Sequence, residues 1–312
     1  MSGEICGYFL AVLSMCVYGV YMSPKKLSGL SDSRFTFWMA CGIIISAALV
    51  RTVFPPVPEV RSRMLVSFLA GLVWATSNFA YTLSISRIEL TRSTPIKNLS
   101  ALFGLLLGMA LLSEGADKTP LKAACICVSG ILVVTGAWLL SRVGAVSGGR
   151  RVLSRGDYVS GCLLALWSAV SFSIYTVPMK LCFRQGMAPE AFLFYMSAGI
   201  FAGMALLALL AGWRPGFSGL AAAVRNRDRA YARSRLMALA SGAGLTLGQL
   251  MANYAVKLAG VAVVWPITKN SVAAVLFSAF VLKDVNWRDS REYMFWGALM
   301  CFAGIIIMGF GA

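Results

Sequence analysis

The chain has 312 residues, 59% of them apolar and 13% charged, with a mean hydropathy of +0.77, whereas soluble domains carry about 25% charged residues. This excludes a water-soluble globular protein. At roughly 20 residues per membrane-crossing helix the apolar content provides for nine or ten spans and leaves no room for a soluble catalytic domain. The net charge of +16 does not point to nucleic acid, because the 28 basic residues lie in short pieces between apolar runs instead of on one domain face.

Hydropathy, broken at charges, prolines and glycines, predicts an all-α integral membrane protein with ten transmembrane helices. In chain order the runs are 5–22, 35–53, 64–85, 95–112 and 123–140, then 159–177, 192–210, 236–256, 261–282 and 295–310. The first run follows Glu4 instead of a basic segment and lacks a small-residue cleavage site, so it reads as a span and not as a signal peptide. A basic Gly/Ser/Arg-rich linker at 141–157 divides an N-terminal five-helix repeat, 1–140, from a C-terminal one, 158–312.

The two halves are related in sequence. Gly7 to Leu27 aligned without gaps on Gly161 to Leu181 gives 8 identities in 21, among them Tyr21 with Tyr175, Pro24 with Pro178 and Lys26 with Lys180. Phe35, Phe37, Met39, Gly42 and Ile43 fall on Phe192, Phe194, Met196, Gly199 and Ile200. Pro95-Ile-Lys-Asn agrees with Pro266-Ile-Thr-Lys-Asn after one insertion, and Cys127, Gly130 and Ile131 meet Cys301, Gly304 and Ile305. Five spans per copy is an odd number, so the second copy enters the membrane from the opposite side: the expectation is two inverted five-helix repeats. Such repeats are the usual frame of alternating-access transporters, with the substrate site near the midplane where the copies meet.

Connections after odd-numbered spans hold eighteen Lys and Arg, against eight in the others with Arg51 at the end of the second run counted among them, and with Lys97 and Lys269 set aside as intramembrane residues. The positive-inside rule therefore expects both termini on the non-cytoplasmic side, in a plasma membrane or an organelle. The chain has no histidine, and seven of its eight cysteines lie within apolar runs with Cys182 at the end of one. No disulfide framework, metal or cofactor is expected from that placement.

Lys269 is the leading candidate for substrate binding. Eight residues into the ninth run, it stands about 12 Å along a helix axis, where an unpartnered lysine costs about 2.5–3.5 kcal/mol. Lys97 is its counterpart, nearer the start of the fourth run. Both invite an anionic or hydroxyl-rich ligand, against the alternative of snorkelling to the interface. Asn98 and Asn270 follow them and can donate and accept, as sugar hydroxyls require, or can tie helices together. Trp74, Asn78 and Tyr81 share one helical face of the third run, and Gln249 and Asn253 one face of the eighth. Aromatic and polar groups together suit a sugar-like ligand. Tyr21, Trp38, Tyr175 and Tyr195 are further aromatic candidates. Lys26, Lys180, Tyr21 and Tyr175, at the ends of the paired first spans, are read as gate or mouth residues. Gly104/Gly108, Gly199/Gly203 and Gly244/Gly248 have the spacing of close helix packing.

The ten-span plan, the internal repeat, Tyr-Met-Ser-Pro-Lys-Lys at 21–26 and the stretch from Trp74 through Ser93-Thr-Pro-Ile to Glu114 resemble the drug/metabolite transporter superfamily. Its EamA-like fold has ten spans, and the sequence is most similar in appearance to the glucose/ribose porter branch. The resemblance implies movement of small polar metabolites, often sugars, through a cavity lined by both halves, sometimes with cation coupling.

The expected function is thus alternating-access transport of a small hydrophilic metabolite, a sugar or an anionic sugar derivative, and not an enzymatic one. Histidine-dependent intramembrane proteolysis is excluded by composition, and the aspartyl type by the absence of aspartate within the runs. All 12 carboxylates lie at termini, connections or span ends, which disfavours ordinary proton relays and favours uniport or exchange. An exporter of amino acids or drugs is the competing transporter reading, and a receptor or scaffold the competing class. The expected partners are a small solute and the lipid bilayer, with no nucleic acid; a homodimer is left open.

Overall fold

The computed structural model describes residues 2–54, 60–113, 119–147, 154–211, 229–269 and 287–311. All regular structure among them is helical: α1 (Ser2–Val20), α2 (Ser23–Ser28), α3 (Asp32–Val53), α4 (Arg61–Asn98), α5 (Ser100–Leu111), α6 (Pro120–Ser147), α7 (Arg155–Ile174), α8 (Thr176–Arg184), α9 (Pro189–Leu210), α10 (Arg229–Ala259), α11 (Val261–Thr268) and α12 (Trp287–Gly311). Six described stretches are long and apolar enough to cross a membrane: Gly3–Lys25, Asp32–Val53, Arg61–Ile88, Pro120–Leu140, Arg155–Arg184 and Pro189–Leu210. A shorter apolar helix covers Ile96–Leu111. The eighth and tenth expected runs fall on α10 and α12, and the ninth is described as far as Lys269. α10 is more polar because Ser241, Thr246, Gln249 and Asn253 are all buried along it.

Helix ends follow local chemistry. Ser154 caps α7, its hydroxyl oxygen accepting from the Asp157 N–H at 3.0 Å, which satisfies one of the otherwise unpaired donors of the first turn. Gly260, at φ 84°, ends α10 and opens α11 in a backbone region that disfavours a side chain. α6 continues to Ser147, into the segment expected as a linker.

Helical backbone also continues through the expected connection between the third and fourth runs, where Arg87, Glu89, Leu90 and Arg92 are adequate helix formers. It is nevertheless not one straight rod. The Ser93 hydroxyl donates to Ser84 Oγ at 2.7 Å, and the Tyr81 and Thr94 hydroxyls meet at 2.8 Å. Those pairs would stand about 14 and 20 Å apart along a straight helix axis, so the chain doubles back between Ser84 and Ser93. The third and fourth runs are therefore separate limbs, joined by a tight helical reversal.

Large apolar side chains such as Ile5, Phe9, Leu49, Leu163, Trp167, Leu210 and Phe302 face outward, whereas Ser, Thr, Asn and Gln side chains are buried inside. This inside-out distribution suits a lipid environment, where polar groups must find partners within the protein. The halves interleave as one bundle: α1 and α3 pack on α10, α7 and α9 on α4, α5 on α11, and α6 on α12. The α3/α10 and α4/α9 crossings are reciprocal. A Cβ at Gly42 would strike the Leu239 carbonyl and one at Gly242 the Met39 carbonyl; one at Gly71 would strike the Met196 carbonyl and one at Gly199 the Phe68 carbonyl. Both crossings bring backbones together where only hydrogen fits, the small-residue packing of membrane helices.

Candidate functional site

The centre of the bundle is built around two helix breaks. α1 ends before Tyr21 and α7 before Tyr175, and in each case a short helix, α2 or α8, carries the chain onward. Broken helices leave carbonyls without intrahelical partners, and the Ser241 hydroxyl donates to the Tyr21 carbonyl across the bundle. Tyr21 lines a narrow central cavity together with Tyr18, Trp74, Lys97, Phe172, Leu245 and Lys269. A neighbouring narrow space shares Trp74 and Leu245 and is bounded further by Met196, Ser197, Thr246 and Gln249.

Both predicted lysines therefore reach one cavity. Lys269 Nζ lies 4.1 Å from the centre of the Tyr18 ring, 4.6 Å from Trp265 and 5.6 Å from Phe172. Lys97 Nζ lies 5.0 Å from Tyr81 and 5.9 Å from Phe172. Aromatic faces attract ammonium groups, and here they hold both amines within the protein instead of letting them snorkel outward. Each lysine also stands at a helix C-terminus, where the carbonyl ends of the peptide dipoles favour positive charge. Lys97 is in the last turn of α4, and Lys269 caps α11, its N–H donating to the Trp265 carbonyl at 3.0 Å. α11 runs through Pro266 and ends two residues later, so the break falls at the lysine and not at the proline.

A hydrogen-bonded array borders the cavity. Gln249 Oε1 accepts from the Tyr18 hydroxyl at 2.6 Å and from the Tyr175 hydroxyl at 3.2 Å. Its amide nitrogen donates to Asn253 Oδ1 at 2.7 Å, and Asn253 donates to the Pro189 carbonyl at 3.4 Å. Ser14 donates to the Gly248 carbonyl at 2.8 Å, completing the polar seam between α1 and α10. The corresponding seam of α4 on α7 is fastened at one end, where the Ser84 hydroxyl donates to the Gly161 carbonyl at 2.8 Å, but further along it both amide atoms of Asn78 and the hydroxyl of Ser168 are buried without a partner. Buried polar groups in this condition are uncommon.

The remaining sequence candidates divide. Trp74 is buried in the cavity wall with its ring 5.4 Å from Phe172, and Asn98 is buried at the end of α4. Trp38 and Tyr195 pack away from the two lysines, Trp38 beneath Arg235 at 5.3 Å and Tyr195 against Phe194 at 5.5 Å. Tyr21 and Tyr175 are buried at the helix breaks. Lys180 Nζ donates to the Val256 carbonyl at 2.9 Å, tying α8 to α10. The Lys26 side chain and Asn270 lie outside the described residues. Sequence reading passed over Tyr18, Phe172 and Trp265. The first two stand one helical turn before Tyr21 and Tyr175 and pair in the same alignment, a signal that was available; Trp265 enters only through the way α11 folds back.

Residues 4–143 match the family model described as "Sugar transport protein", a stretch that covers the first five expected runs. No curated protein matches the chain. A solved crystal structure, described only as that of a protein, aligns over 100% of this chain and 99% of its own at 17% identity and a TM-score of 0.67, a likeness of fold alone. Together the match and the apolar helices support a multi-pass membrane protein of the sugar-transport type.

Proposed function

We propose that the protein is an alternating-access transporter of a small hydrophilic solute of the sugar class, with ten spans arranged as two inverted five-helix repeats. The observation that carries this reading is the origin of the cavity wall. Tyr18, Tyr21, Trp74 and Lys97 come from the first half, and Phe172, Leu245 and Lys269 from the second, so a solute bound there is held across the seam between the halves. The reciprocal glycine crossings of α3 with α10 and α4 with α9 support the repeat, because each pairs the second run of one half with the third run of the other. In this reading Trp74 offers a flat face to the apolar side of a sugar ring. Lys97, Lys269, Asn78 and the Gln249–Asn253 pair present hydrogen-bonding groups to its oxygens. Lys26 and Lys180 flank the two mouths. Two cationic side chains in the cavity wall disfavour the export of lipophilic cations.

Uptake of radiolabelled sugars into vesicles reconstituted with the purified protein tests the reading. Saturable uptake that is lost in Trp74→Leu is the expected result. Specific binding without movement across the vesicle membrane would identify a receptor instead.

A further inference from the structure

Resting on the sugar-transport reading, we propose that the cavity between Lys97 and Lys269 takes a monosaccharide bearing a phosphate monoester, with the phosphate between the two ammonium groups. The argument begins with charge. Both ammonium groups line the same cavity and lie within 6 Å of the centre of the Phe172 ring. Their contacts among the described residues are with aromatic faces, and neither has a hydrogen bond or an ion pair there. The described carboxylates lie elsewhere: Asp32 pairs with Lys25, Asp157 with Ser154 at the start of α7, Glu190 with Tyr254, and Glu4 and Glu292 are exposed. None of them lines the cavity. Two cations buried at one cavity in a membrane protein, with no carboxylate among the described residues lining it, are costly unless a ligand supplies the opposite charge.

The amount of charge selects among sugar anions. A phosphate monoester carries about −1.5 to −2 at neutral pH and matches two ammonium groups, whereas a sugar carboxylate matches one and a neutral sugar none. Trp74 and Tyr21 in the same wall provide aromatic surface for the ring. The aromatic contacts that hold both lysines when no ligand is bound are weaker than charge-assisted hydrogen bonds to phosphate oxygens, so the anion displaces them.

Ligand titration and thermal unfolding of the purified full-length protein test this with four probes: glucose 6-phosphate, glucose, glucuronate and inorganic phosphate. Glucose 6-phosphate is expected to raise the unfolding midpoint and to bind at least tenfold more tightly than each of the others. Lys97→Met and Lys269→Met, which keep an apolar stem, should each weaken glucose 6-phosphate at least tenfold and weaken it by a larger factor than glucose. Glucose or glucuronate binding as tightly as glucose 6-phosphate overturns the proposal, as does undiminished affinity in both folded variants; inorganic phosphate binding equally well removes the sugar from it. Should a variant fail to fold, the comparison of the four probes on the unaltered protein decides alone. Vesicle uptake separates the two levels of argument: movement of glucose without its phosphate overturns this inference and leaves the sugar-transport reading standing, whereas movement of neither overturns both.

Discussion

Gln249 has every amide atom engaged and Asn78 has none, although the two stand seven residues after Gly242 and Gly71, the glycines at which α10 and α4 cross their partner helices. Their neighbours explain the difference. The position that gives Gln249 its 2.6 Å bond is Tyr18, eleven residues after Gly7, and the residue eleven after Gly161 is Phe172, which has no hydroxyl to offer. The seam of α1 on α10 is thereby fastened through Ser14 and Tyr18, and that of α7 on α4 is left with Ser168 and Asn78 unbonded.

The same substitution at these two positions should therefore act with opposite sign. Gln249→Leu strands the Tyr18 and Tyr175 hydroxyls and is expected to lower stability by roughly 1–3 kcal/mol for each group left buried and unpaired. Asn78→Leu is nearly isosteric and removes an unpartnered amide, so it should raise the unfolding midpoint of the ligand-free protein while weakening transport. Thermal unfolding in detergent measures both; a lower midpoint in Asn78→Leu would mean that the amide is in fact satisfied.

Phe172→Tyr should supply the missing hydroxyl. If it reaches Asn78, the double-mutant cycle of Phe172→Tyr with Asn78→Leu should give a coupling on the order of 0.5–3 kcal/mol. Additive effects within error would separate the two residues and end the comparison with Tyr18 and Gln249.

Glycine positions give a packing test with an internal control. Gly71→Ala and Gly199→Ala place a methyl group on a facing backbone carbonyl and should cost about 1–3 kcal/mol through overpacking. The nearest atom to a Cβ at Gly244 is Tyr21 Cβ at 3.9 Å, so Gly244→Ala should be neutral or stabilising by up to about 1 kcal/mol through helix propensity. Equal midpoints for all three variants would contradict the α4/α9 approach.

Single cysteines at Lys26 and Lys180, in a background with the native cysteines replaced, should react with impermeant reagents from opposite faces of the membrane. Reaction of both from one face is incompatible with inverted repeats. Charge-neutral changes at the two lysines should alter the maximal transport rate more than affinity, and the reverse pattern would remove them from the mouths.

The third and fourth runs show how sequence and structure divide the information. Hydropathy separates 64–85 from 95–112, and the chain does reverse there, yet the reversal is helical throughout and depends on the Ser84–Ser93 and Tyr81–Thr94 bonds. Such bonds join residues too far apart for any local pattern to reveal.

The sequence by itself determined the membrane environment, the apolar runs and the candidacy of Lys97, Lys269 and Trp74, because hydropathy is a sum over neighbouring residues and a charge within an apolar run is conspicuous. Only the tertiary structure decided that both lysines meet at Phe172, that Gln249 is saturated while Asn78 is not, and that Trp265 lies against Lys269. These relations join positions as far as 231 residues apart, such as Tyr18 with Gln249. They are set by helix crossings whose distance depends on which glycine faces which carbonyl.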